Sequence, residues 1–280
     1  MSDPEAQIDT FSTSDGYVCH FHRYSPRGPV RGQVVALHGI QSHAGWYGGS
    51  CRYLAEVGWE VLFLERRGSG LNHTARGDAP SFRRLLTDID EFIGSQCSEP
   101  PFLLAISWGA KLAVGLEYYS PGRTAGLVLV TPGICPKLGP SLGQRLLIGL
   151  TRLVLPRRLF PIPLSDPELF TTTPAWLDFL RTDPLALHQA TARFLVESRR
   201  LDFYLRRASR GVQGPVLVAL AGKDRIIDNG RTREYVAQFP TKDCRIVEYP
   251  GAHHTLEFEP DPIPIFRDVA QWLDLHSAFR

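Results

Sequence analysis

The sequence predicts an α/β protein: a mostly parallel sheet of eight strands flanked on both faces by helices, with one long helical insertion. Three observations carry that reading. Short runs that are apolar at every position, such as residues 101–106 and 215–220, recur along the chain, and strands buried on both faces have that composition. Helix-length segments separate these runs, which is the alternation that builds parallel crossovers. Between residues 130 and 216 the sequence offers no strand, only prolines and helical patterns, and that stretch is too long for an ordinary connection.

Taken in order, residues 9–14 and 17–24 alternate in polarity about Asp15-Gly16, so the chain opens as an antiparallel hairpin. Strands follow at 33–37, 61–64, 102–106, 127–130, 216–220 and 245–249. Helices fill the gaps at 46–57, 81–96, 107–119, 231–239 and 263–278. The strandless segment, residues 133–209, is expected to fold as a cap inserted over the strand ends. No internal repeat or low-complexity tract interrupts this plan.

Composition narrows the function classes. A chain of 280 residues with 43% hydrophobic content buries a large core, and its length suits one domain, residues 1–280, carrying the insertion. A net charge of +2, without a run of five like charges, supplies no field for nucleic acid. The N-terminal segment is acidic and polar, unlike a secretory signal, and predicts a cytoplasmic protein. Cys19, Cys51, Cys97, Cys135 and Cys244 are odd in number, scattered and without metal-ligand spacing, which fits reduced thiols. The greasiest stretch, residues 146–155, is short and contains Arg152, so it is not a membrane span. No metal or nucleotide motif occurs, and no cofactor is expected.

The chemistry centres on Ala105-Ile106-Ser107-Trp108-Gly109-Ala110, where one serine stands between an apolar strand and a small-residue helix start. That is the pattern of a nucleophile elbow, a strained turn that needs small residues two before and two after the serine. A serine hydroxyl requires a histidine to take its proton and a carboxylate to orient that histidine. The run 215–220 ends in Ala221-Gly222-Lys223-Asp224, which makes Asp224 the acid candidate; it follows the strand end immediately, ahead of the alternative Asp228. After the next strand, the loop Pro250-Gly251-Ala252-His253-His254 offers the base, in His253 or His254. The Trp108 amide, at a helix N-terminus directly after the serine, suits a donor to the negative oxygen of a tetrahedral intermediate.

Two further motifs complete a resemblance: His38-Gly39-Ile40-Gln41-Ser42-His43-Ala44-Gly45-Trp46-Tyr47 after an early strand, and Glu65-Arg66-Arg67-Gly68-Ser69-Gly70 after the next. Over nearly its whole length the chain resembles serine hydrolases of the α/β-hydrolase fold, in the monoacylglycerol lipase and lysophospholipase branch, which is serine aminopeptidase S33-like. That branch usually reads His-Gly-x-Gly-Glu-His-Ser-Gly-Arg-Tyr and Asp-x-Arg-Gly-x-Gly, with Gly-x-x-His in the terminal loop. The resemblance implies His254 as the base and Ile40 as a second oxyanion donor beside Trp108. Ala105 and Gln41 depart from it, each standing where the family has glycine. His38 is expected to hold the oxyanion turn and Arg67 to pin a loop. His20, His22, His43, His73, His188 and His276 match no motif and read as structural or solvent-facing.

The function so implied is cofactor-independent hydrolysis of carboxylic esters through an acyl-enzyme on Ser107, with monoacylglycerols or lysophospholipid-like esters as substrates. A thioesterase, amidase or aminopeptidase-like hydrolase is the alternative on the same residues, and a silent binding scaffold the alternative from another class. Within the insertion, Leu142, Leu146, Leu147, Leu150, Leu153 and Val154 recur at helical spacing, with Arg145, Arg152, Arg157 and Arg158 among or after them. Such a helix is surface-seeking, so the cap is expected to touch a membrane transiently and to favour an acyl chain. Pro156, Pro161, Pro163 and Pro167 break it into short pieces.

Overall fold

The computed structural model describes residues 6–277, so Ala278, expected in the last helix, lies outside the described residues. The chain begins with β1 (Gln7–Ser12), β2 (Val18–Tyr24), β3 (Gly32–Leu37), α1 (Gly48–Glu56) and β4 (Trp59–Leu64). It continues through α2 (Phe82–Gln96), β5 (Phe102–Ile106), α3 (Gly109–Tyr119) and β6 (Gly126–Val130). The insertion then holds α4 (Leu142–Val154), β7 (Leu159–Pro161), α5 (Pro174–Thr182), β8 (Gln189–Thr191) and α6 (Ala192–Ala208). β9 (Val216–Ala221), α7 (Asn229–Val236), β10 (Cys244–Tyr249) and α8 (Ile263–Ser277) close the fold.

The main sheet has eight strands in the order β1-β2-β4-β3-β5-β6-β9-β10. β1 and β2 form the opening hairpin, β2 runs antiparallel to β4, and the strands from β4 onward are parallel. Side chains alternate across the sheet, so each apolar strand feeds two cores. Val35, Leu37, Leu103 and Ala105 face Leu86 of α2 and Leu112 and Leu116 of α3, while Val34, Ala36, Leu104 and Ile106 face Leu54 of α1 and Trp272 of α8. The fully apolar runs are a direct result: neither face of a central strand meets water.

Two features of the insertion differ from expectation. β7 and β8 pair antiparallel as a small separate sheet, Leu159 opposite Thr191 and Pro161 opposite Gln189. Strands of three residues, one ending in proline, are too short to show a periodicity. The last helix of the insertion, α6, returns to the main body, where Phe194, Leu201 and Leu205 join the same core as α2 and α3. By contrast α4 turns its leucines outward. Leu142 is 82% and Leu153 78% exposed, while Ile148 and Thr151 are its buried residues. Among the described residues no helix is long and apolar enough to cross a membrane.

Buried charge ties the first hairpin to the sheet. Arg67, on the loop after β4, donates to Asp88 of α2 at 2.6 Å and to Asp15 of the β1–β2 turn at 2.9 Å, and its Cζ lies 4.5 Å from the Tyr17 ring. Removing one partner leaves a carboxylate buried, although Arg84 also reaches Asp88, at 2.7 Å. Arg67→Met is therefore expected to cost about 3 kcal/mol, read as a lower denaturant midpoint at unchanged slope.

Glu117 of α3 is a buried carboxyl that accepts from Thr124 Oγ1. Burial pushes it up from 4.5 to about 7, against the lowering effect of that hydrogen bond. The folded state thus binds its proton more tightly than the unfolded chain; the resulting stability is full below pH 4.5 and is lost as pH rises to about 7. A Glu117→Gln variant is expected to melt higher than the parent at pH 8. Across thermal scans at several pH values, the gap should open between pH 4.5 and 7 and then stay constant.

Candidate active site

Ser107 follows the last residue of β5 and precedes α3, and its backbone sits at φ 50°, in the left-handed region that L-residues avoid. Neighbours fix it there: Ser107 N–H donates to Val130 O of β6 at 2.9 Å, and its carbonyl accepts from Gly133 N at 2.8 Å. The turn packs so tightly that a Cβ at Gly109 would lie 2.7 Å from both Leu37 O and His38 O. Ala105, two residues before the serine, is accommodated inside the core between the sheet and α3.

The ends of β9 and β10 supply the next two side chains. Asp224 lies in the turn after β9, where its Oδ1 accepts from Ile226 N and Ile227 N, each at 2.8 Å. His254 lies in the loop after β10; its Nδ1 is 2.8 Å from Asp224 Oδ2 and its Nε2 is 3.0 Å from Ser107 Oγ. Asp224 and His254 are both buried. Burial alone would raise the Asp224 carboxyl, but the His254 charge and the hydrogen bonds from His254, Ile227 and Ile226 outweigh it and hold the group below its usual range. Asp224 is therefore an anion at neutral pH, aimed at one imidazole nitrogen, while the other nitrogen faces the serine.

The alternatives are engaged elsewhere. Asp228 caps α7 by accepting from Arg231 N at 3.0 Å. His253 turns away to Glu259, 3.0 Å from its Nδ1. His38 is buried, with Nδ1–H donating to Gly39 O at 2.8 Å and Nε2 accepting from Arg66 N at 3.0 Å. Burial drives it down to about 3, so it stays neutral in that tautomer and holds the loop after β3.

That loop lies against Ser107. A Cβ on Gly39 would come within 3.3 Å of the Ser107 Cβ and 3.0 Å of Ser42 Oγ, so a larger residue would have to push one of them aside. Ser42 Oγ accepts from Gly39 N at 2.9 Å and from Tyr47 Oη at 3.0 Å, which closes the turn from below. Among the described residues, the backbone N–H groups of Ile40 and Trp108 donate to no protein acceptor. The two free amides thus belong to the residue directly after the serine and to the residue after Gly39, which packs against the serine.

A group of residues without any sequence signal ties the insertion to this site. Asp183, just after α5, accepts from Trp46 Nε1 at 2.7 Å and lies 3.0 Å from His43 Nε2, and Leu187 N donates to Gln41 O at 2.8 Å. On the other side, Thr255 N donates to Phe170 O at 2.9 Å and Trp176 stacks on Phe258 at 4.3 Å. The insertion thus clasps both the loop after β3 and the histidine loop. Of the two expectations for His43, structural or solvent-facing, burial against Asp183 fits the first, and Asp183 itself stands in no motif; only the fold brings the two together. Among the described residues no group of three or more His, Cys, Asp or Glu could hold a metal ion.

A family described as serine aminopeptidase, S33, matches residues 28–261. The chain belongs to that family. It is 26% identical over 264 residues to the monoacylglycerol lipase of Mycolicibacterium smegmatis, covering 90% of this chain and 91% of that one. It is 23% identical over 287 residues to the Homo sapiens monoglyceride lipase, covering 99% and 94%. The crystal structure of a soluble variant of the Saccharomyces cerevisiae monoglyceride lipase, in complex with a substrate analog, shares the fold with a TM-score of 0.83 at 21% identity, covering 99% of this chain and 96% of that one. The sheet order and the helices on both faces are those of an α/β-hydrolase.

Proposed function

We propose that this α/β-hydrolase cleaves carboxylic esters through an acyl-enzyme on Ser107, with His254 as base, Asp224 as its orienting acid, and Ile40 and Trp108 N–H as the oxyanion donors. The observation that carries the reading is the unbroken line from Ser107 Oγ to His254 Nε2, 3.0 Å, and from His254 Nδ1 to Asp224 Oδ2, 2.8 Å. Ser107 Oγ attacks the ester carbonyl as His254 Nε2 takes its proton, and Asp224 stabilises the imidazolium. Charge that develops on the carbonyl oxygen falls between the two free amides, which are preorganised and lose little on reaction. The imidazolium then protonates the leaving alcohol, and water repeats the cycle on the acyl-enzyme.

Monoacylglycerols are the substrates that the names of these relatives suggest, since the match runs the length of each chain, and lysophospholipid-like monoacyl esters extend the same class. Residues 133–209 serve as the cap. Its α4 leucines, exposed as a continuous stripe beside Arg145 and Arg152, suit transient contact with a membrane surface where such esters reside. An aminopeptidase reading would need a free carboxylate for the substrate amine. Of the carboxylates beside the two site loops, Asp183 and Glu259 are engaged by histidines, Glu65 accepts from Ala44 N and Glu257 accepts from Ser50 N. The five cysteines stand unpaired, in keeping with the cytoplasm.

Ser107→Ala is expected to lower kcat on a soluble ester by about a thousandfold or more with the fold intact, because such residues act as a unit. His254→Ala should do the same, whereas His253→Ala keeps most of the rate; the reverse pair of results would move the base one residue upstream. On substrate, kcat/KM measured across monoacyl esters from C2 to C16 is expected to rise into the medium or long chains, each buried methylene contributing about 0.8 kcal/mol. An optimum at C2, or cleavage confined to peptides, contradicts the proposed substrate class.

A further inference from the structure

The loop after β3 presents its Ile40 N–H to the serine only if one peptide plane faces the right way. In a trans peptide the carbonyl and the following N–H point in opposite directions, so whatever holds Gly39 O also aims Ile40 N–H. Two groups hold it: His38 Nδ1–H at 2.8 Å and Arg66 Nη1 at 3.1 Å. Arg66 Nη2 in addition donates to Ile40 O at 3.0 Å and to Ser69 Oγ. One guanidinium therefore spans two consecutive carbonyls from behind the loop. Its own backbone N–H fixes the His38 ring by donating to Nε2 at 3.0 Å.

The electrostatics of Arg66 are unusual for a buried residue. It is 7% exposed, and its Cζ lies 4.9 Å from the Trp108 ring and 5.2 Å from the Phe194 ring. Arg67 next to it is neutralised by Asp88 and Asp15, yet among the described residues no carboxylate lies within ion-pair distance of Arg66. Its Nε is buried without a partner. The guanidinium contacts carbonyls, a hydroxyl and aromatic faces, and the buried Glu65 carboxylate acts on it electrostatically without an ion-pair contact, so its charge is only partly offset. One free amide belongs to the peptide it grips, and the other to the residue whose ring it covers.

We propose that Arg66 is a positioning residue for acyl transfer: its grip on Gly39 O and Ile40 O turns the Ile40 N–H toward the reacting carbonyl, and its unpaired charge favours the oxyanion over the neutral ester. This rests on the reading of Ser107 as nucleophile. The test compares wild type with Arg66→Lys and Arg66→Met on a soluble monoacyl ester. Each protein is also titrated with an alkylboronic acid, which forms an anionic tetrahedral adduct on serine, and with a glycerol monoether, which resembles the substrate but never carries the charge. Arg66→Met is expected to lose about 100-fold in kcat with little change in KM, as for loss of one oxyanion donor. Boronate affinity should fall by a similar factor and monoether affinity should hold. Lysine keeps the charge without the two-carbonyl span and should lie between. An undiminished kcat, or equal losses for boronate and monoether, overturns the proposal; if Arg66→Met does not fold, the ratio of the two affinities in Arg66→Lys decides. A fluorophosphonate probe that labels wild-type Ser107 supports the underlying reading. Failure to label Ser107 overturns that reading and the proposal with it, whereas labelling with unchanged boronate selectivity overturns the Arg66 role alone.

Discussion

The site depends on one backbone residue held where an L-amino acid resists going. Ser107 at φ 50° reverses the chain between β5 and α3 so sharply that its hydroxyl stands clear of the sheet edge. Strain of this kind costs on the order of 1–3 kcal/mol and persists only where the surroundings over-determine it. Here β6 and Gly133 hold the serine amide and carbonyl, and Gly109 lets α3 start against the β3 carbonyls. The parallel sheet meets the remaining requirement. β9 and β10 end at the same edge as β5, so the turns after them bring Asp224 and His254 to the serine without any long reach.

This geometry explains what could be read in advance. Each strand on the way to the site is apolar throughout, so its end is sharp in the sequence, and each candidate side chain stands just beyond such an end. The small-residue turn at Ser107, the Ala221-Gly222 exit before Asp224 and the glycine of the histidine loop mark the places. His253 and His254 were separable only by family resemblance, since adjacent residues look alike to any local rule; the structure turns the first toward Glu259. Asp183 had no signal because its partners His43 and Trp46 are more than a hundred positions away. The different surroundings of Arg66 were equally hidden: two arginines in a row look equivalent, and only packing reveals that Arg67 contacts two carboxylates while Arg66 grips two carbonyls. The short β7–β8 pair failed for another reason, as three residues hold less than two periods of alternation.

The insertion is two kinds of structure in one segment. Its outer part, α4, is a well-capped helix, with a reciprocal Ser141–Gln144 capping box, that carries its leucines to solvent. Its inner parts are bonded into the body. α6 fills the same core as α2 and α3, and Trp108 Nε1 donates to Ser198 of that helix at 2.9 Å. The outer stripe is therefore the exposed apolar face of this segment, while the contacts around the site come from its inner part.

The Asp183 clasp bears on how such enzymes can be recombined. Caps of α/β-hydrolases invite treatment as cassettes, exchanged between relatives to trade substrate range. In this chain a graft cut at the ends of the insertion would remove the acceptor of His43 and Trp46 and the donor to Gln41 O, all on the loop beside the serine. The separable module is smaller: α4 and its flanking turns can be traded, whereas residues 170–208 belong with the main body although they lie within the inserted sequence.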